Sequence, residues 1–119
     1  MKTLKYFENL QTVIKKLDYE KFDNCASIIV DNFSKKNKIM TCGNGGSATT
    51  ASHFITDWVK MAMTEKNCQI DAICLSDNIG MLTAYANDID YNSVFSEQVK
   101  SYGNSGDLLI CVSGSGNSM

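Results

Sequence analysis

No stretch of this chain approaches the roughly 20 consecutive apolar residues that a bilayer-spanning helix needs. The N-terminus, Met1-Lys2-Thr3-Leu4-Lys5-Tyr6-Phe7-Glu8, has no apolar run of signal-peptide length and carries an early acid, which points to a cytoplasmic protein. An excess of positive charge is also missing, since 11 basic residues against 13 acidic ones leave a formal charge of −2. A nucleic-acid surface would need a basic stripe to neutralise phosphates. The one short basic stretch, Ser34-Lys35-Lys36-Asn37-Lys38, reads as a solvated helix end leading into a strand. The cysteines, Cys25, Cys42, Cys68, Cys74 and Cys111, are odd in number and form no CxxC pair, which argues against a catalytic or zinc-binding set. Three of them sit in apolar segments, and buried, reduced thiols are the expectation. Proline is absent, and nothing follows from that. With His53 as the single histidine, no two-histidine mechanism can be assembled within the chain.

What is present is an ordinary globular composition, 44% hydrophobic and 20% charged, at a length that suits one domain. Tyr6, Leu10, Val13, Ile14 and Leu17 recur at helical spacing across Lys2 to Leu17. A second amphipathic helix is expected from Tyr19 to Ser34, with Phe22, Ala26, Ile29, Val30 and Phe33 as its stripe and Asp18 as its N-cap. The period then changes. Ile39 to Cys42 reads as a strand, Ala48 to Met63 as a helix, and Ile70 to Leu75 as a second strand. Ser76-Asp77-Asn78 suits a helix start, with helices over Ile79 to Ala86 and Tyr91 to Ser101. Leu108 to Val112 is a continuous apolar run. Such runs between helices mark parallel strands buried on both faces, so the order predicts a doubly wound α/β sandwich. Three strands make a thin sheet with an unprotected edge, and the fold reads as unfinished after the third.

Two loops lie at predicted strand C-termini. Gly43-Asn44-Gly45-Gly46-Ser47 runs from strand into helix, where glycines bring backbone amides close to a ligand and the helix N-terminus adds partial positive charge. That suits a phosphate or another small anion. Gly43 to Ala48 also fits a loose G-x-G-x-x-A dinucleotide pattern. Against it stand the two leading helices, the polar helix opening Ser47-Ala48-Thr49-Thr50, and Asp77, which falls about ten residues later than the ribose-binding acid should. No Lys-Ser/Thr follows the glycines, so a Walker loop is excluded, and no nucleotide cofactor is expected. The second loop, Ser113-Gly114-Ser115-Gly116-Asn117-Ser118, could hold a phosphate by hydroxyls and amides, sharing one crevice with the first. His53 and Asp57, four apart on one helix, project from the same face. They could form a structural polar pair, share a divalent metal, or flank a substrate.

As a set, Cys42 to Ala48 with Ala51-Ser52-His53-Phe54, Ala84-Tyr85-Ala86-Asn87-Asp88, Gly106-Asp107-Leu108-Leu109 and Ser113 to Ser118 are similar to the phosphoheptose isomerase branch of the sugar isomerase (SIS) family. The match is collinear over residues 38 to 118 and reaches the N-terminal part of that family. The resemblance implies a flavodoxin-like doubly wound parallel sheet, truncated here after the third strand. Residues 1–36 would be leading helices and 37–119 the first part of the sandwich. It implies a homotetramer packed through the N-terminal helices. The implied reaction is isomerisation of sedoheptulose 7-phosphate for surface-polysaccharide heptose. By position, Asn44, Gly45, Gly46, Ser47, Asn87 and Asp88 would contact the substrate, and Ser113, Gly114, Ser115 and Ser118 would hold its phosphate. His53 matches a ligand to a divalent metal, such as zinc, in some members. Asp57 stands where those isomerases have Glu as metal ligand and acid/base, one methylene shorter here.

The family's remaining catalytic Gln and His lie in C-terminal helices, so the 119-residue chain alone is expected to be inactive. Competing expectations are a non-catalytic SIS protein of the replication-initiator-binding type, a decayed remnant, and a sugar-phosphate-sensing regulatory domain, for which no DNA-binding segment is attached.

Overall fold

The structure, a computed structural model, describes residues 1–62 and 69–117. The order is α1 (Lys2–Ile14), α2 (Tyr19–Ser34), β1 (Ile39–Gly43), α3 (Gly46–Ala62), β2 (Ala72–Cys74), α4 (Ile79–Asp88), a 3₁₀ turn (Tyr91–Ser93), α5 (Val94–Tyr102) and β3 (Leu108–Val112). The expected end of the third helix, at Met63, lies outside the described residues. The chain divides into two compact units, Met1–Val30 and Asp31–Met119, with the boundary inside α2.

In the first unit, Asp18 caps α2 as its position predicts. Its carboxylate accepts from the Lys21 amide at 3.1 Å, satisfying one of the unpaired N–H groups of the first turn. The Tyr19 hydroxyl donates to the Ile14 carbonyl at 2.8 Å and closes the connection between the helices. The apolar spacing that specifies α1 is not satisfied by burial. Tyr6, Leu10, Val13, Ile14 and Leu17 stay between 40% and 63% exposed.

In the second unit, β1 is central in a three-stranded parallel sheet of order β2-β1-β3. Its residues Ile39, Met40, Thr41 and Cys42 are buried, as a run without polar alternation requires. Successive side chains point to opposite faces. Thr41 meets α3 and donates its hydroxyl to the Ala51 carbonyl at 2.9 Å. Met40 and Cys42 face the other way, into a cluster with Leu75 against which Phe95 and Val99 of α5 pack. Gln98 of α5 is buried too, and its amide donates to the carbonyls of Leu75 and Val94 at 3.0 and 2.9 Å. The sheet is therefore covered by α3 on one face and α5 on the other.

The register of β1 against β3 is fixed at their starts. The Asp107 carboxylate accepts from the backbone amides of Lys38 at 2.9 Å and Asn104 at 2.8 Å. These amides, Asn104 first, hold the Asp107 carboxyl below its ordinary value, with help from the Lys38 charge. Gly106, at φ +97, turns the chain so that its carbonyl accepts from the side chains of Asn32 and Asn37. The basic stretch ends α2 with Lys36 in the left-handed region at φ 58 and Lys35 paired to Asp31.

Two expectations are corrected. Leu108 to Val112 is not buried on both faces, because β3 is an edge strand and alternates between half-buried and exposed. Leu109 and Cys111 share the face of Met40 and Cys42 but lie outside the cover that Phe95 and Val99 give to β1. Nor are the thiols uniformly buried. Cys42 is buried and Cys74 half-buried, whereas Cys25 on α2 and Cys111 on β3 are exposed. Cys68 lies outside the described residues.

Candidate functional site

The glycine loop forms as its composition demands. Gly45 sits at φ +55, where a side chain would be strained. Gly43 is needed for a different reason, since a Cβ there would meet the Ser47 carbonyl carbon and oxygen at 2.7 Å. The first turn of α3 is thereby laid directly against the end of β1. Ser76 holds that end from the other side. Its hydroxyl donates to the Gly43 carbonyl at 2.8 Å and accepts from the Gly43 amide at 3.2 Å.

The two predicted loops open onto one cavity of about 200 Å³ at the C-terminal ends of β1 and β3. Gly43, Asn44 and Ser47 from the first loop line it, as does Ser113 from the second. Among the described residues its wall carries amides, hydroxyls, thiols and aromatic carbon and no charged side chain. The whole sequence contains no arginine. An anion here would be held by neutral donors and by the α3 N-terminus. Ser113 and Ser115 shape their own loop, accepting from the amides of Gly116 and Asn117 at 3.0 and 3.1 Å. Gly114 and Ser115 are exposed, Gly45 and Gly46 do not line the cavity, and Ser118 lies outside the described residues.

Tyr91, Asn92 and Phe95, which close the cavity from the α5 side, are not signalled by any motif. The Tyr91 hydroxyl donates to the Asn44 side-chain oxygen at 2.8 Å and so fixes that side chain at the loop. Only a search for a partner to a polar loop side chain could have pointed to it. Asn87 and Asp88 end α4, bonded to each other at 2.8 Å, and do not line the cavity.

His53 and Asp57 come together as their spacing predicts, with Nε2 and Oδ2 3.3 Å apart. Both are open to solvent, at 72% and 51% exposure. His53 lines a second hollow, of about 280 Å³, with Ala48, Thr49, Ser52, Thr56, Ser76 and Asp77. Ser52 donates to the Asp77 carboxylate at 3.0 Å across it. Asn78 caps α4 as expected, accepting from the Met81 amide at 3.0 Å, while Ser76 and Asp77 turn back toward β1 and α3. Ser76 thus separates the two hollows, touching Gly43 on one side and lining the other. Zinc sites take three or four protein ligands. His53 and Asp57 are two donors, and among the described residues no group of three His, Cys, Asp or Glu side chains gathers to hold a metal. The pair alone does not constitute such a site.

The chain is similar in sequence to the phosphoheptose isomerase of Alteromonas mediterranea, 36% identical over 115 residues, covering 95% of this chain and 58% of that protein. That of Thermodesulfovibrio yellowstonii is 44% identical over 93 residues, covering 78% and 46% respectively. In structure it is similar to the phosphoheptose isomerase of Neisseria gonorrhoeae, with a TM-score of 0.82 at 34% identity over 98% of this chain and 59% of that one. A phosphoheptose isomerase from Francisella tularensis gives 0.81 at 27% identity, covering 94% and 60%. The chain therefore spans little more than half the length of these relatives. The family model described as the SIS domain matches residues 4–119. With its doubly wound parallel sheet and glycine loop at the end of β1, the chain belongs to the SIS-domain family.

Proposed function

We propose that the chain is part of an aldose–ketose isomerase of the phosphoheptose isomerase type, binding sedoheptulose 7-phosphate through the cavity shared by its two loops. The observation that carries this reading is that cavity. Two phosphate-suited loops, 66 residues apart at Ser47 and Ser113, open onto one hollow lined by neutral hydrogen-bond donors.

The phosphate would sit against Ser47, Ser113 and the exposed amides of the first α3 turn, with Asn44 held ready by Tyr91. The polyol would run past Ser76 along the second hollow toward His53 and Asp57. Asp57 lies ten residues beyond Ser47 on α3, about 15 Å along the helix axis. That is comparable to an extended seven-carbon phosphate with a hydrogen bond at each end. Isomerisation moves a proton between C1 and C2 through an enediol, and Asp57 would be the carboxylate that carries it. Aspartate must reach one methylene further than glutamate would. A divalent ion such as zinc would take His53 and Asp57 as two ligands and draw the rest from outside the described residues.

The exposed apolar residues of α1 support packing of the N-terminal helices between copies of the chain, as in a homotetramer. None of the described helices is long and apolar enough to cross a membrane, which accords with a cytoplasmic role in supplying heptose for surface polysaccharide.

Calorimetric titration with sedoheptulose 7-phosphate tests the site. Ser47→Ala removes one hydrogen bond to a charged group, worth about 1.5–3 kcal/mol, so affinity should fall roughly tenfold or more. Unchanged affinity would remove the anion loop from the account. Asp57→Asn should retain binding and abolish turnover in any form of the protein that isomerises. The 119-residue chain is expected to bind without turnover.

A further inference from the structure

Directly beneath the glycine loop, the β1–β3 register sets Cys42 opposite Cys111, and their Sγ atoms lie 3.6 Å apart. Both line the cavity between the loops, and neither is needed for holding a phosphate or moving a proton. Adjacent strands in a sheet are about 4.8 Å apart. Paired residues therefore fall within the 4.4–6.8 Å Cα separation that disulfides span. Bringing the sulfurs from 3.6 Å to the bonded distance of about 2.05 Å closes a gap of about 1.5 Å. The two thiols also differ in access, Cys111 being exposed and Cys42 buried.

We propose that Cys42 and Cys111 are a redox modification site, closing to an intramolecular disulfide in the cavity wall when the protein meets a peroxide. The exposed Cys111, as thiolate, attacks one oxygen of hydrogen peroxide. An S–O bond forms, the O–O bond breaks, and the departing hydroxide takes up a proton to become water, leaving a sulfenic acid on Cys111. Cys42 sulfur then attacks the sulfenic sulfur and gives up its proton. The S–S bond forms, the S–O bond breaks, and a second water leaves. Two thiols are oxidised by two electrons, and one peroxide is reduced to two waters. Burial and the neighbouring Cys111 thiol push the Cys42 thiol up to about 12, so the second step quickens with rising pH. The product ties β1 to β3 one residue before Gly43 and two before Ser113, and it removes both S–H groups from the cavity.

Tryptic cleavage separates the two cysteines, with Cys42 on peptide 39–60 and Cys111 on peptide 101–119. Cys25 falls on 22–35, and Cys68 and Cys74 on 67–100. Reduced protein is treated with hydrogen peroxide, capped with N-ethylmaleimide under denaturing conditions, digested without reductant and weighed. The expected product, from the monomer band of a non-reducing gel, is 39–60 joined to 101–119 at two hydrogens below their summed mass. It should vanish on reduction and be missing from Cys111→Ser. Three outcomes overturn the inference: both peptides capped by maleimide, Cys111 carrying two or three oxygens while Cys42 is capped, or either peptide joined to a different partner. Repeating the treatment with saturating sedoheptulose 7-phosphate separates this site from the proposed function, on which only the protection rests. Slower cross-linking supports both readings. An unchanged rate of cross-linking leaves the thiol pair established and counts against the cavity as the phosphate site.

Discussion

Gly43→Ala adds a single methyl group where there is no room for it. The new Cβ would lie 2.7 Å from both the carbonyl carbon and the carbonyl oxygen of Ser47 and 3.0 Å from its Cβ. Two of these three atoms are backbone, anchored in the first turn of α3, so they cannot rotate aside. The strain resembles overpacking of a rigid interior, which costs about 1–3 kcal/mol. With an m-value of about 1–3 kcal/mol/M, a loss of 2 kcal/mol moves a urea midpoint down by roughly 1 M. The natural control is Gly46→Ala. An added Cβ there meets nothing within 4 Å, and the residue is the first of α3. Removing a glycine from such a site should be neutral or stabilise by about 0.4–1 kcal/mol. Urea unfolding of both variants, followed by far-UV circular dichroism, gives a lowered midpoint for Gly43→Ala alone if the close approach is real. Equal midpoints for Gly43→Ala and wild type would refute the claim that β1 and α3 meet too tightly for a side chain. Unaltered sugar-phosphate affinity in Gly43→Ala would separate the strain from the site.

Gln98→Leu should cost about 1–3 kcal/mol in the same unfolding assay, because the Leu75 and Val94 carbonyls lose a buried donor; a smaller loss would mean that Leu packs well enough to compensate. Tyr91→Phe leaves stability nearly unchanged but frees Asn44, so sugar-phosphate affinity should drop by about 0.5–1.5 kcal/mol in titration calorimetry. Asp107→Asn tests pH dependence. The folded carboxyl lies below its unfolded value of about 3.9, so its contribution is present above that pH and is lost as pH falls through the folded value. Wild type should therefore exceed the variant in stability at neutral pH, with the gap closing below about pH 4; a constant gap would assign the effect to lost geometry rather than charge.

Much of the local structure in both units was legible because single residues decided it. The unbroken run Ile39 to Cys42 fixed the central strand, and Asp18 and Asn78 announced helix starts that the capping bonds bear out. The two loops were visible because glycine and serine cluster at the C-terminal ends of two predicted strands. The exposure of Leu109 and Cys111 was not legible, since an apolar run specifies a strand but not how many neighbours it has. Tyr91 and Ser76 were hidden for a related reason. Each acts through hydrogen bonds to one residue, 47 or 33 positions away, and no local pattern encodes such a pairing. The thiol pair needed the register itself: sequence places Cys42 and Cys111 at strand ends, and only pairing at equal height makes them neighbours.

The order β2-β1-β3 has a further consequence. The chain leaves β1 for α3 on one face and arrives at β3 from α5 on the other, so no connection passes over the ends of these two strands. A gap at such a topological switch point is a property of the winding, independent of which side chains border it. Substitution can change what the gap prefers, by charge, size or hydrogen-bonding capacity, but cannot abolish it while the strands keep their order. A binding place guaranteed by chain path leaves selection free to alter the lining residue by residue without first having to invent a pocket.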